Sequence, residues 1–163
     1  MNNGGAARTL AEIAKKDFAL TPRASQFVFV YGTLQSSYHN PAAKRLRAGS
    51  QLVGAARVPG RLRSFGYFPG LILDPGARNG VHGEIYRLLH PALLAHLDAY
   101  EGCAPHSRRP HLYRRELAEA QLYDGGRVWA WLYVLNDARL GAPLLAPRFQ
   151  PNRKIEFRPA PAD

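Results

Sequence analysis

Hydrophobic and polar positions follow two periods along this chain, and each period marks an element. Phe27-Val28-Phe29-Val30 is a continuous run of β-formers, which predicts a strand buried on both faces. Leu52–Ala55 and Gly60–Arg63 predict further strands, and Leu71–Leu73 a short one before a turn around Asp74-Pro75-Gly76. Val81–Leu88 alternates well enough for another. Leu112–Tyr123 then meets Val128–Leu135 across Asp124-Gly125-Gly126-Arg127, a hairpin-type turn. In the second arm Val128, Ala130, Leu132 and Val134 alternate with Trp129, Trp131, Tyr133 and Leu135. Neither set is polar, which places this strand in the middle of a sheet.

Helical signals occur in three places. Thr9-Leu10-Ala11-Glu12 matches a capping box and opens a helix to about Ala19, stopped by Thr21-Pro22. Asn40-Pro41 is a cap followed by proline, with Ala42–Ala48 as the body and Gly49 as the stop. The third runs from His90-Pro91 to Glu101-Gly102, again between a proline and a glycine. Phe65–Gly70, Gly102–His111 and Ala138–Pro151 are expected to be loops, and Lys154–Phe157 a last short strand. Residues 1–24 are expected to form a flexible or weakly helical leader, 25–158 a single domain and 159–163 a disordered tail. Six or seven strands with two or three helices inserted predict an α+β fold: a small mixed, mostly antiparallel β-barrel with a few helices.

Within the third helix Leu93, Leu97 and Glu101 are spaced four apart and share one face, with Leu94 widening it. A carboxylate thus ends a row that ought to point inward. Burial disfavours its charged form, and the negative end of the helix dipole acts in the same direction. A carboxyl tuned towards neutrality can accept and return a proton. The alternative on spacing alone is a solvated glutamate at a frayed helix end.

Composition narrows the classes. Of 163 residues 46 % are hydrophobic, enough for one folded domain and too many for a disordered chain. No apolar run reaches membrane-spanning length, and no signal-peptide pattern opens the chain. The one cysteine, Cys103, cannot form an internal disulfide, which fits a reducing cytoplasm. A formal charge of +10 invites nucleic acid as a partner. The excess is spread out, however: +2 in residues 1–24, +6 in 25–136 and +2 in 137–163. Its clusters are short and not interleaved with aromatics, so a solvated basic surface accounts for it better. Cys103 with His106 is a superficial nucleophile–base pair, and the six histidines lack metal-ligand spacing.

The strand at Phe27 ends in Tyr31-Gly32-Thr33-Leu34. Glycine there admits close approach to the backbone, and successive N–H groups in such a loop cradle an anion. The alternative is an ordinary strand-ending turn. Tyr31-Gly32-Thr33-Leu34 followed by Leu97-Asp98-Ala99-Tyr100-Glu101-Gly102 resembles the γ-glutamylcyclotransferase-like, or AIG2-like, family. So do Tyr113 and Arg115 opening the next strand, Trp131-Leu132-Tyr133-Val134 late in the chain, Pro69-Gly70-Leu71, and Gly83-Glu84-Ile85-Tyr86. The resemblance covers Phe27 to Leu135.

What it implies is a small β-barrel whose Tyr31–Leu34 loop binds a γ-glutamyl group, with Glu101 as general base and acid. The reaction implied is intramolecular: the α-amine attacks its own side-chain carbonyl, releasing 5-oxoproline and an amine or amino acid, without metal or cofactor. Tyr113 and Arg115 are further candidates to reach the substrate, with core packing as the alternative. The segments before Phe27 and after Leu135 offer no residues that can be carried over from the family, which leaves the leaving group open. Two other classes stand beside this one: a catalytically silent ligand- or partner-binding domain of the same fold, and a polyanion-binding protein.

Overall fold

The computed structural model describes residues 25–64 and 68–136, with the backbone of Leu144–Leu145. The expected helix at Thr9 and strand at Lys154 lie outside the described residues. Strand β1 is Phe27–Val30, followed by helix α1 (Pro41–Ala48) and strands β2 (Ser50–Val58), β3 (Gly60–Ser64), β4 (Pro69–Leu73) and β5 (Val81–Leu88). Helix α2 (Ala92–Tyr100) precedes β6 (Tyr113–Leu122), β7 (Arg127–Leu135) and β8 (Leu144–Leu145).

Strands β1, β5, β2, β6 and β7 join in that order, and β1 returns to β7, closing a five-stranded mixed barrel. The α+β barrel expected from the pattern is therefore present, with two helices among the described residues. The neighbouring pairs are antiparallel except β1–β7, where Val28 stands beside Trp131 in parallel. β6 occupies one edge of β7 along its whole length, so β1 and β4 must share the other. β1 takes it at Trp131 and β4 at Val134. The chain leaves the sheet after Val30, where that edge changes partner. This seam positions the site.

The continuous apolar runs serve two layers. Phe27 and Phe29 point into the barrel with Val58, Ile85, Leu122 and Leu132. Val28 and Val30 point outward, into a second cluster with Leu46 of α1 and Leu93 and Leu97 of α2. β7 divides likewise: Val128, Ala130, Leu132 and Val134 inside, Tyr133 and Leu135 under the helices. The helices thus cover the outer face of strands that could not face water.

Two loop expectations are corrected. Pro69 and Gly70 belong to β4, because Ser64 pairs with Pro69 and Arg63 with Gly70; a proline is tolerated as the first residue of a strand. Leu144–Leu145 is a short strand within the expected Ala138–Pro151 loop, pairing with the otherwise open edge of β3. The described residues accordingly hold eight strands rather than six or seven.

Candidate active site

A cavity of about 360 Å³ opens at the seam, and its wall includes Tyr31, Gly32, Thr33, Leu34, Glu101 and Tyr113. Six of the seven residues singled out in the sequence therefore meet in one place, although 70 positions separate Tyr31 from Glu101. Arg115 is not part of that wall.

The loop is prepared by its own hydrogen bonds. The amide nitrogen of the Gln35 side chain donates to the carbonyls of Tyr31 and Gly32 at 3.0 and 3.2 Å. That of Asn40 donates to the Thr33 carbonyl at 2.6 Å, while its oxygen caps α1 by accepting from Ala43 N–H at 2.9 Å. Beyond the loop, Glu84 accepts from both the backbone and the hydroxyl of Ser36, at 2.7 and 2.5 Å. Successive carbonyls are thus turned away and bound. Among the described residues nothing accepts a hydrogen bond from the amides of Gly32, Thr33 and Leu34. Free amides in series favour an anion. Gly32 also lies close to Pro69, whose ring would stand 3.1 Å from any β-carbon placed there.

Tyr31 pins the seam. Its hydroxyl donates to the Tyr133 carbonyl at 2.7 Å and accepts from Leu71 N–H at 3.2 Å. One phenol thereby bridges β7 and β4 where β1 lets go. Tyr113 donates to the Pro69 carbonyl at 2.6 Å and fixes the opposite wall. Burial first, then neighbouring acidic groups, hold the hydroxyls of Tyr31 and Tyr113 well above the ordinary phenol range, so both are neutral at pH 7.

Glu101 stands where the spacing placed it. Leu93 and Leu97 of α2 are buried, and Glu101 follows at the C-cap, its N–H donating to the Leu97 carbonyl at 2.9 Å. Pro91 is the N-cap, with α2 beginning at Ala92. Gly102 has φ +69, the left-handed geometry that ends the helix and that side chains resist. Burial raises the Glu101 carboxyl from 4.5 to about 7. Loss of water around the carboxyl is the cause of that rise.

Asp98, one turn before Glu101, was not singled out in the sequence. Arg115 donates to both its oxygens, at 3.0 and 2.8 Å, and the Tyr133 hydroxyl donates to Oδ1 at 2.8 Å. The Arg115 guanidinium also lies 4.9 Å from the Trp131 ring centre. This network ties the C-terminal end of α2 to β6 and β7, and it accounts for Arg115 facing helix rather than cavity. The spacing of Asp98 to Glu101, three apart on a helix, was the available signal. Tyr100 was also missed; its hydroxyl lies 2.9 Å from Thr33 Oγ1 and links the loop to the helix end. Cys103 and His106 form no pair: the thiol faces Asp98 at 4.0 Å and burial lifts it to about 11. His106 is exposed.

Comparison with known proteins identifies the family. The family described as gamma-glutamyl cyclotransferase, AIG2-like, matches residues 28–150. Gamma-glutamylaminecyclotransferase A of Danio rerio is 32 % identical over 105 residues, spanning 60 % of this chain and 60 % of that protein. A crystal structure of an AIG2-like protein from Mus musculus superposes with a TM-score of 0.63 at 24 % identity, over 85 % of this chain and 97 % of that one. YkqA of Bacillus subtilis does so with 0.52 at 24 % identity, over 68 % of this chain and 36 % of that one. Both structures are alike in fold. The family match takes in both halves of the cavity wall, the loop after β1 and the end of α2, and the chain belongs to the gamma-glutamyl cyclotransferase, AIG2-like family.

Proposed function

We propose that the cavity binds a γ-glutamyl compound and cyclises it, releasing 5-oxoproline and a free amine or amino acid. The observation that carries this reading is a carboxyl raised to about 7 in the same cavity wall as three free backbone amides. In this reading the amides of Gly32, Thr33 and Leu34 hold the α-carboxylate, and the apolar walls keep the chain curled. Closing a five-membered ring needs no second reactant, so holding the amine against its own carbonyl supplies much of the rate.

Protons then set the remaining requirement. The α-nitrogen must lose two protons as the C–N bond of the lactam forms, and the departing nitrogen gains two as its C–N bond breaks. Ionised Glu101 relays these protons one at a time, twice taking one from the α-nitrogen and passing it to the departing nitrogen, and ends ionised as it began. The neutral phenol of Tyr113 closes the wall without competing for these protons. Arg115 contributes through Asp98, by holding the helix end that carries Glu101.

The test is a panel of γ-glutamyl amines and γ-glutamyl amino acids. Equal release of 5-oxoproline and the free partner from at least one of them is expected. A panel that yields neither, with the protein folded and the compounds bound, overturns the proposal in favour of a silent binding domain.

A further inference from the structure

The barrel end remote from Glu101 holds a second cavity, of about 390 Å³. Its wall comes from the end of β2, the loop before β5 and the paired ends of β6 and β7. β7 begins there at Arg127 and reaches the Glu101 cavity only at Tyr133, about 20 Å further at the rise of an extended strand. The two cavities are separate.

Register sets its chemistry. Arg57 stands opposite Gln121, and Gln121 opposite Arg127. Cross-strand partners share a face, and the chain neighbours Val58, Leu122 and Val128 fill the barrel, so this row points out. Arg78 joins it from the loop before β5. Gly80 lets that loop lie against β2: its φ is +52, and a β-carbon there would stand 2.9 Å from the Val58 carbonyl oxygen.

The three arginines differ in how they are held. Arg57 donates Nε–H and Nη2–H to the Gln121 side-chain oxygen at 3.2 and 2.9 Å, a neutral partner that fixes the guanidinium and leaves its charge. Arg127 pairs with Glu119 at 3.0 Å, and Glu119 is the one carboxylate in the wall. Arg78 makes no ion pair among the described residues. Three guanidiniums thus face one carboxylate around a cavity in the size range of small-ligand sites. Guanidinium forks match the oxygens of phosphate groups, and two held at one rim repel each other unless an anion lies between them.

We propose that this second cavity binds a small phosphorylated ligand with at least two negative charges, held chiefly by Arg57 and Arg78. The probe is pyrophosphate, titrated calorimetrically into the whole chain at about 0.15 M salt, where loose surface attraction is screened. Saturable binding is expected, weakened at least about tenfold when Arg57→Gln and Arg78→Gln are combined. Both side chains are exposed, so the variant keeps its fold and its 5-oxoproline release. Glu101→Gln should bind pyrophosphate as the wild type does, whatever its effect on turnover. No saturable binding, or equal binding by the double variant, overturns the proposal. So does binding that Glu101→Gln abolishes, which would put the anion in the other cavity. Binding of single-stranded RNA without pyrophosphate binding also refutes it, since the arginines would then be a polyanion track.

Discussion

Replacing Glu101 by glutamine is expected to make the protein more stable while removing its turnover. The substitution keeps shape and removes charge. Burial lifts the carboxyl from 4.5 to about 7, which means the folded protein binds that proton more tightly than the unfolded chain does. The stabilising effect is complete below pH 4.5, where both states are protonated, and is lost as pH rises to about 7. At pH 8 the wild type therefore carries a penalty of about 3 kcal/mol, at 1.36 kcal/mol per pH unit between the two pKa values. Glutamine carries none. Glu101→Gln should gain about that much at pH 8, a rise of roughly 5–10 °C in Tm for a domain of this size. The gain should shrink through pH 6 and vanish near pH 4.5. Denaturant melts of both proteins across that range measure it, because every other titrating group cancels in the difference. The same variant should lose about 10²–10⁴ in 5-oxoproline release. A difference in stability that ignores pH, or a variant less stable at pH 8, would show that the carboxyl is not desolvated, and retained turnover would remove it from the chemistry.

Four further outcomes follow from the same geometry. For the wild type, log kcat/KM should climb with unit slope below pH about 7 and level off above it, since Glu101 must be ionised to take a proton; a flat profile from pH 5.5 to 8 contradicts the assignment. Asp98→Asn breaks the Arg115 and Tyr133 anchor and should cost about 1–3 kcal/mol and lower kcat, with the pH midpoint unmoved because Asp98 does not set it. Asn40→Ala removes the cap of α1 and the partner of the Thr33 carbonyl; about 1 kcal/mol of stability and a raised KM are expected, measured by melts and steady-state kinetics. Cys103→Ser should leave turnover unchanged, and the wild-type thiol should alkylate slowly at pH 7, being lifted to about 11.

Elements and the acidic residue were legible because both depend on local order. Asn40-Pro41 and Gly49 bound α1 as read, and the doubly apolar runs at Phe27 and Val128 became the strands with a core on each side. Glu101 could be singled out because four-residue spacing extends a buried stripe by one turn. Asp98 and Tyr100 sit in that same helix and passed unmarked, since their partners, Arg115, Tyr133 and Thr33, are far along the chain. Pro69 and Gly70 looked like loop for the same reason: what makes them strand is β3 beside them.

Sequence alone thus determined most of the strands, the two described helices and an acid at the end of an apolar row, because spacing and capping act within a few residues. Only the closed barrel decided that this acid shares a cavity with the Tyr31–Leu34 loop, that Arg115 serves Asp98, and that Arg57, Arg78 and Arg127 gather at the other end. Those are contacts between distant segments, set by which strand pairs with which and in what register. No local pattern encodes where the edge of β7 passes from β1 to β4, and it is that handover which opens the cavity.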